Sequence, residues 1–363
     1  MFLEKLSLVN FKNHSSTNLT FQQGVNCIVG SNGVGKTNVL DAIYYMSYCK
    51  GMFNPIDSQN ITHDAPLFVV EGFYQTEHDG FKVYCGVKRG QKKVFKWNKV
   101  TYDRLVDHIG KVPLVHITPS DTGLITEGSE MRRKFMDSII SQYDSSYLNV
   151  LVRYQKVLSQ RNALLKMLQS ERRTDNESLL AFDAQLDMYG TELHEKRKEF
   201  ALVFNPLFLS YYSLLTEGKE TTSFVYQSTL ETEPLSQLLL GSRSKDYTLG
   251  HTTQGTHKDD LKFLLEGHPM KKFGSQGQQK SFVVALKLAQ FDLMSEKLSQ
   301  KPLLLLDDIF DKLDKHRVKA LMTLVSEQHF GQVFVTDANK QRIDDLFADI
   351  KEKPLMIHLH EER

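Results

Sequence analysis

Residues 30 to 37 read Gly30-Ser31-Asn32-Gly33-Val34-Gly35-Lys36-Thr37, which satisfies G-x-x-x-x-G-K-[ST] at every fixed position. At average residue usage the bare pattern arises by chance in roughly one chain in a hundred of this length. It constrains the fold because it works only between a strand and a helix, and both flanks comply. The apolar run Val25-Asn26-Cys27-Ile28-Val29 leads in, and the helical pattern Asn38-Val39-Leu40-Asp41-Ala42-Ile43-Tyr44-Tyr45 leads out. Glycines let consecutive N–H groups curl around a phosphate with no Cβ in the way, and the helix start adds partial positive charge. In this motif the lysine, here Lys36, reaches the β- and γ-phosphates and the hydroxyl, here Thr37, ligates Mg²⁺.

A chain of 363 residues holds two or three domains, or one large α/β domain with an inserted lobe. Its formal net charge is +1, so a polyanionic partner must be met by a local basic face. Cys27, Cys49 and Cys85 are widely spaced with no C-x-x-C, which suits a reducing compartment and offers no zinc site. Met1-Phe2-Leu3-Glu4-Lys5 lacks a signal-peptide layout, and no run approaches the roughly 18 apolar residues of a membrane span. A cytoplasmic location with no membrane partner is expected.

Residues 1 to about 120 read as β-rich. Phe68–Tyr74 and Phe81–Val87 are strand candidates, and the second continues through Lys88-Arg89-Gly90-Gln91 into Lys92–Trp97 as a hairpin. From about 129 the period becomes helical. Tyr147, Val150, Leu151, Tyr154, Val157, Leu158, Leu164, Leu165 and Leu168 mark one stripe. After the polar break Arg172–Asn176, Leu179, Phe182, Leu186, Tyr189, Leu193, Phe200 and Phe204 mark another, running until Pro206. The pair reads as an antiparallel helical hairpin whose stripes pack a core. Residues 230 to 250 read as a polar loop, after which α/β character returns.

Leu303-Leu304-Leu305-Leu306-Asp307-Asp308 fits a buried parallel strand ending in two acids. In phosphate-loop NTPases such a strand lies beside the one feeding the loop and ends with a carboxylate at Mg²⁺. Asp307 takes that metal role, and Asp308 is placed to polarise an attacking water. An acidic turn after any buried strand is the alternative, and the phosphate loop decides against it. Phe273-Gly274-Ser275-Gln276-Gly277-Gln278-Gln279-Lys280 precedes a helical run. Ser275 and Gly277 at that helix start read as another backbone anion site. It is no hydrolase nucleophile elbow, because Phe273 stands where G-x-S-x-G needs glycine.

The loop, the S-x-G-Q signature and the hydrophobic-Asp-Asp strand, in that order around a helical insertion, resemble ABC-type ATPase heads of the SMC and Rad50 superfamily. Within it the chain is most similar to the RecF family of bacterial recombinational repair. Leu8–Asn13, Ile117–Asp121, Gly128 through Arg132-Arg133-Lys134-Phe135-Met136-Asp137, Ser159–Leu165 and Gly255–Leu261 carry that resemblance. It implies an α/β fold: an ABC-type P-loop ATPase head with a β-rich N-terminal part and an inserted helical lobe. The expected boundaries are 1–125 for the N-terminal part of the head, 126–250 for the helical lobe and 251–363 for the rest of the head.

The resemblance further implies ATP and Mg²⁺ as cofactors. Ser275, Gly277 and Gln278 of one subunit would cap the nucleotide that the loop of another holds, and Ile309–Asp314 looks like the D-loop of that dimer. It implies an ATP-dependent homodimer clamped on gapped duplex or single-stranded DNA. Recombination mediator proteins and recombinase would be partners, with roles in recombinase loading, replication restart and SOS induction. The other function class is an SMC-like head that drives a nuclease or signalling partner, although no separate carboxylate cluster for a nuclease is evident.

Two departures bear on chemistry. Many ABC ATPases have glutamate where this chain has Asp308, and a switch histidine after the strand Val333–Asp337, where this chain offers none. Slow, DNA-stimulated hydrolysis is expected, with Lys36 and Asp308 as catalytic groups and ATP acting mainly as a dimerisation switch. For DNA, Lys88, Arg89, Lys92, Lys93, Lys96 and Lys99 crowd around Phe95 and Trp97, either as a phosphate-neutralising and stacking face or as a solvated hairpin. Arg132, Arg133 and Lys134, or Lys156, Arg161 and Lys166, are equal candidates, and the Arg132-Arg133 pair could instead brace the nucleotide pocket. His257 reads either as a γ-phosphate contact or as a turn cap.

Overall fold

Val25–Val29 lies second in a five-stranded parallel sheet ordered Leu355–His358, Val25–Val29, Val333–Asp337, Leu303–Asp307, Leu114–Ile117. The computed structural model describes residues 1–310, 315–326, 329–348 and 353–360. These divide into two compact units, Met1–Asp121 with Lys280–Arg363, and Thr122–Gln279.

In the first unit, Leu303–Asp307 and Val333–Asp337 are buried at every position, as strands covered on both faces must be. Leu303–Asp307 does not lie beside Val25–Val29, as the sequence reading had it, because Val333–Asp337 runs between them. Parallel neighbours need a crossover connection, and the helix Lys315–Ser326 supplies the one from Leu303–Asp307 to Val333–Asp337.

An antiparallel sheet completes this unit, ordered His14–Thr20, Phe2–Phe11, Leu67–Gln75, Gly80–Lys88, Val94–Trp97, Val100–Thr101. Leu67–Gln75 and Gly80–Lys88 alternate strictly, burying Phe68, Val70 and Tyr74 with Phe81, Val83, Cys85 and Val87. The helix Lys36–Tyr48 is buried at every position from Val39 to Tyr48, so it needs cover on all sides. One apolar cluster provides it, joining Leu6, Phe11 and Phe68 of the antiparallel sheet, Ile43 and Tyr45 of the helix, and Leu303, Leu305 and Phe334 of the parallel sheet. The rigid burial of this helix fixes where the phosphate loop points.

The second unit carries the helices Ser129–Tyr143, Ser145–Glu171, Asn176–Thr216 and Leu235–Leu249, with a small antiparallel sheet ordered His268–Pro269, Asp260–Leu265, Thr222–Gln227. Asp175 caps the third helix by accepting from the Ser178 amide at 2.9 Å. Gly190 lets the helices close up, since a Cβ there would lie 2.5 Å from Leu235 Cδ2 and 3.2 Å from Tyr154 Cε2.

The helix does not stop at Pro206 but runs through it to Thr216. A proline inside a helix costs about 3 kcal/mol, yet Pro206 is on the exposed side, while Phe200, Phe204 and Phe208 of the same helix are buried and linked to one another and to Phe224 by ring contacts. Each such ring contributes about 1.5–3 kcal/mol, which outweighs the break. The presumed loop at 230–250 contains the helix Leu235–Leu249, which buries Leu235, Leu239, Ser242 and Asp246. Its stripe mixes apolar with polar residues, which hid the period.

Candidate nucleotide site

The loop departs from the parallel sheet at Val29 and enters its helix at Lys36. Gly33 and Gly35 sit at φ +85° and +104°, a region costly for any residue with a Cβ. At Gly35 a Cβ would also lie 2.6 Å from His14 Nε2 and 2.7 Å from Asn13 Oδ1. Those two residues brace the loop from outside. Asn13 Nδ2 donates to the Gly33 carbonyl at 3.2 Å, Asn38 Nδ2 donates to Asn13 Oδ1 at 2.6 Å, and His14 Nε2 lies 3.1 Å from the Gly35 carbonyl. A carbonyl only accepts, so Nε2 carries the proton and Nδ1 accepts from Thr17 Oγ1 at 3.0 Å. A trans peptide directs its N–H opposite its C=O, so the Lys36 amide faces away from His14, toward the space the loop encircles.

Lys36 arches back over the loop, its Nζ donating to the carbonyls of Gly30 at 2.7 Å and Ser31 at 2.9 Å. Burial lowers its pKa from the usual lysine value, against the opposing pull of Asp308, Asp337 and Asp307. Thr37 Oγ1 donates to Asp307 Oδ1 at 2.9 Å, and Thr336 Oγ1 donates to the same oxygen at 2.6 Å. Burial raises the Asp307 pKa above the usual carboxylate range, aided by Asp308 and opposed by the Thr336 and Thr37 hydrogen bonds and by Lys36. The Asp308 backbone is left-handed, at φ +48°, and its amide donates to Thr336 Oγ1 at 3.1 Å. Thr336 therefore ties the two acids together.

The donor set fits Mg²⁺. Thr37 and Asp307 offer hard oxygens, and adjacent ligands on an octahedral ion with bonds of 2.0–2.1 Å lie about 2.9 Å apart, which matches their separation. The cradle fits a phosphate chain, with left-handed glycines and a helix start whose first amides have no intrahelical partner.

Gly30 through Thr37, Asp307 and Asp308 all lie in the first unit, where Lys36, Thr37 and the two acids meet. Ser275, Gly277 and Gln278 lie in the second unit, where Ser275 and Gln278 form a reciprocal cap on the helix Gln276–Leu298. Its Ser275 amide donates to Gln278 Oε1 at 2.8 Å, and the Gln278 amide donates to Ser275 Oγ at 3.3 Å. Within Ile309–Asp314, residues 311–314 lie outside the described residues. Sequence reasoning missed Thr336, which only the register Asp307↔Thr336 reveals, and gave no role to Asn13 or His14.

Several candidate DNA contacts prove internal. Arg161 is fully buried, its Nε donating to Asp183 and one terminal nitrogen to Asp246, both at 2.7 Å. Lys93 is held by Asp57 at 2.8 Å and donates to the Cys49 carbonyl at 2.6 Å. Phe95 is buried and Trp97 stacks on Phe81 with ring centroids 4.1 Å apart, so both rings belong to the sheet's packing. Arg132 grips Asp260 through two nitrogens, at 2.7 and 3.1 Å, and Arg133 donates to the Asp259 carbonyl at 2.6 Å. Lys88, Lys92, Lys99, Lys134, Lys156 and Lys166 remain exposed. His257 is a structural cap. Its Nδ1 meets Tyr154 Oη at 2.9 Å and its Nε2 meets the Thr252 carbonyl at 3.1 Å, and burial lowers its pKa to about 4. No described helix is long and apolar enough to cross a membrane.

Comparison with known proteins places this geometry. The family described as RecF/RecN/SMC N terminal domain matches residues 2–351. The DNA replication and repair protein RecF of Flavobacterium johnsoniae is 49% identical over 344 residues, 95% of this chain and 96% of that protein. That of Phocaeicola vulgatus is 47% identical, over 97% of this chain and 94% of its own. A solved structure of the recombination mediator protein RecF-ATP in the RecFOR pathway superposes with a TM-score of 0.87 at 30% identity, covering 93% of this chain and 92% of that one. With an ABC-type ATPase head built around a complete phosphate loop, and relatives matched along nearly their whole length, the chain belongs to the RecF family of DNA replication and repair proteins.

Proposed function

We propose that this protein is an ATP-gated DNA clamp of recombinational repair, in which nucleotide binding joins two copies and hydrolysis separates them slowly. The observation that carries the reading is the pairing of Thr37 with Asp307, which sets the loop's hydroxyl against the acid of a distant strand. Supporting it is the RecF-ATP relative. ATP with Mg²⁺ supplies a phosphoanhydride bond and a charge cluster that the protein must hold in place.

In this reading the amides of the loop and the Lys36 ammonium grip the phosphates, while Thr37 and Asp307 hold the cation. Asp308 orients the attacking water from a carboxylate one methylene shorter than glutamate, which favours slow turnover. Ser275, Gly277 and Gln278 of a second copy close over the γ-phosphate, with the capped helix start already formed to meet it. Joining two copies creates the DNA-binding form, which works at gapped duplex with mediator proteins and recombinase.

The test is equilibrium binding to gapped duplex DNA with and without ATP, over a range of salt. Affinity should rise with ATP and fall linearly in log salt. Flat responses to both would contradict the clamp.

A further inference from the structure

The helix Asn176–Thr216 changes character partway along. From Phe200 to Thr216 it carries no charged residue, and Phe200, Phe204, Phe208 and Leu215 bury one side of it. A helix that is apolar all round is one that is covered all round. The opposite side of this one lies open. Leu202 is 70% exposed, Leu209 37% and Leu214 47%, and Pro206 is exposed beside them. Leu202, Pro206 and Leu209 follow at steps of four and three residues, so they form one stripe along the helix. A contiguous apolar strip at a surface marks a contact with another molecule.

The charges at the two ends of the strip say what covers it. Upstream, Glu195, Lys198 and Glu199 are exposed and continue the stripe of Leu202. Downstream, just past the helix end, Glu217 and Lys219 are exposed. A second copy laid antiparallel across a two-fold axis at the level of Leu207 sets Glu195 level with Lys219 of the other copy. The same arrangement brings Lys198 within one residue of the level of its Glu217, and Glu199 falls one turn from the same lysine. Opposite charges thus meet at both ends with apolar side chains between them, the self-complementarity that a two-fold contact requires. Parallel copies in register would instead set like charges against like.

We propose that this strip is a self-association surface that joins two copies of the chain helix to helix, with no nucleotide required. The strip is about 25 Å long and about 10 Å wide, smaller than the ~800 Å² per partner of a stable interface. The contact therefore forms where copies are crowded and not in dilute solution. It is separate from the ATP-dependent pairing, which uses the loop and the capped helix start. A chain that pairs at two different places links its pairs into rows.

The test is sedimentation equilibrium of the nucleotide-free protein over a wide concentration range. The wild-type mass should climb from the 41.7 kDa of one chain toward twice that value, and Leu202→Glu/Leu209→Glu should hold at one chain throughout. Glu195→Lys and Lys219→Glu should each weaken association several-fold. The two together should restore it, since the swapped charges then meet across the axis. Ser210→Cys adds an accessible thiol, because Cys27, Cys49 and Cys85 are buried, and a bis-maleimide should link it to a second copy. Ser159→Cys, exposed on the helix Ser145–Glu171, should stay unlinked. A wild type that remains single at every concentration would overturn the proposal. So would charge swaps that fail to restore association, equal linking of both cysteine variants, or glutamate variants that lose only the ATP-dependent pair.

Discussion

Thr37 donates a 2.9 Å hydrogen bond to Asp307 although 270 residues separate them in the chain. The buried helix that begins at Lys36 projects its first hydroxyl toward the end of a strand that is not even the immediate neighbour of the loop strand. Loop and acid therefore form one site only if the whole parallel sheet is assembled. The consequences of that dependence can be measured.

Asp307→Asn keeps an acceptor oxygen for Thr37 and Thr336 but removes the negative charge. Unfolding free energy should move by no more than about 1 kcal/mol, while nucleotide affinity loses its dependence on Mg²⁺. Hydrolysis should fall by on the order of a hundredfold, given the several kcal/mol that a bound metal contributes. A Mg²⁺ titration of nucleotide affinity checks this, and an intact Mg²⁺ response would remove Asp307 from the metal site.

Thr336→Val deletes the hydroxyl that donates to Asp307 and accepts from the Asp308 amide. Leaving these buried partners unsatisfied should cost about 1–3 kcal/mol in denaturant unfolding. Thr336→Ser should restore most of the loss. A valine variant as stable as the wild type, with equal ATPase activity, would show that Thr336 does not organise the two acids.

Ser275 separates a structural role from an assembly role. Ser275→Ala removes the hydroxyl that caps the helix Gln276–Leu298 and should cost about 1 kcal/mol. Ser275→Arg should leave nucleotide binding by the single chain intact yet block ATP-dependent dimerisation. Size-exclusion chromatography with ATP distinguishes the two, and a dimer that survives the arginine would sink the shared site.

Arg161→Met should act on stability and not on DNA. It strips the buried guanidinium from Asp183 and Asp246, and breaking a buried pair on one side costs about 3–5 kcal/mol. DNA affinity per folded molecule should stay at the wild-type level. A loss of DNA binding without a loss of stability would return Arg161 to the DNA face.

Acid should destabilise the fold through three histidines, His108 buried and His116 and His257 half-buried. Burial lowers the pKa of His108, His116 and His257 from 6.5 to about 4. Between those values the unfolded chain holds protons that the folded chain excludes, so stability rises with pH across that window. Thermal melts should show a lower midpoint at pH 5 than at pH 7, and equal midpoints would contradict the assignment.

The parts legible in the sequence were those with local chemistry. Gly30–Thr37 needs only its own spacing, and Leu303–Asp307 announces a buried strand by four leucines. Thr336 could not be read, because its role comes from a register across two strands far apart in the chain. Arg161 was open to misreading, since long basic residues on helices usually face water. Its spacing from Val157 and Leu165, both buried, was the available signal that it faces the core. Pro206 misled because local propensity yields when the buried face of the same helix, with Phe200, Phe204 and Phe208, is packed on both sides of it.

The central claim is that nucleotide at the Thr37–Asp307 site joins two copies of the chain. Multi-angle light scattering of the purified protein with Mg²⁺, before and after ATP, measures it directly. The mass should double from that of a 41.7 kDa chain on adding ATP, and Lys36→Ala should stay at the single-chain mass. A mass that ATP leaves unchanged, in protein shown by calorimetry to bind the nucleotide, would contradict the account.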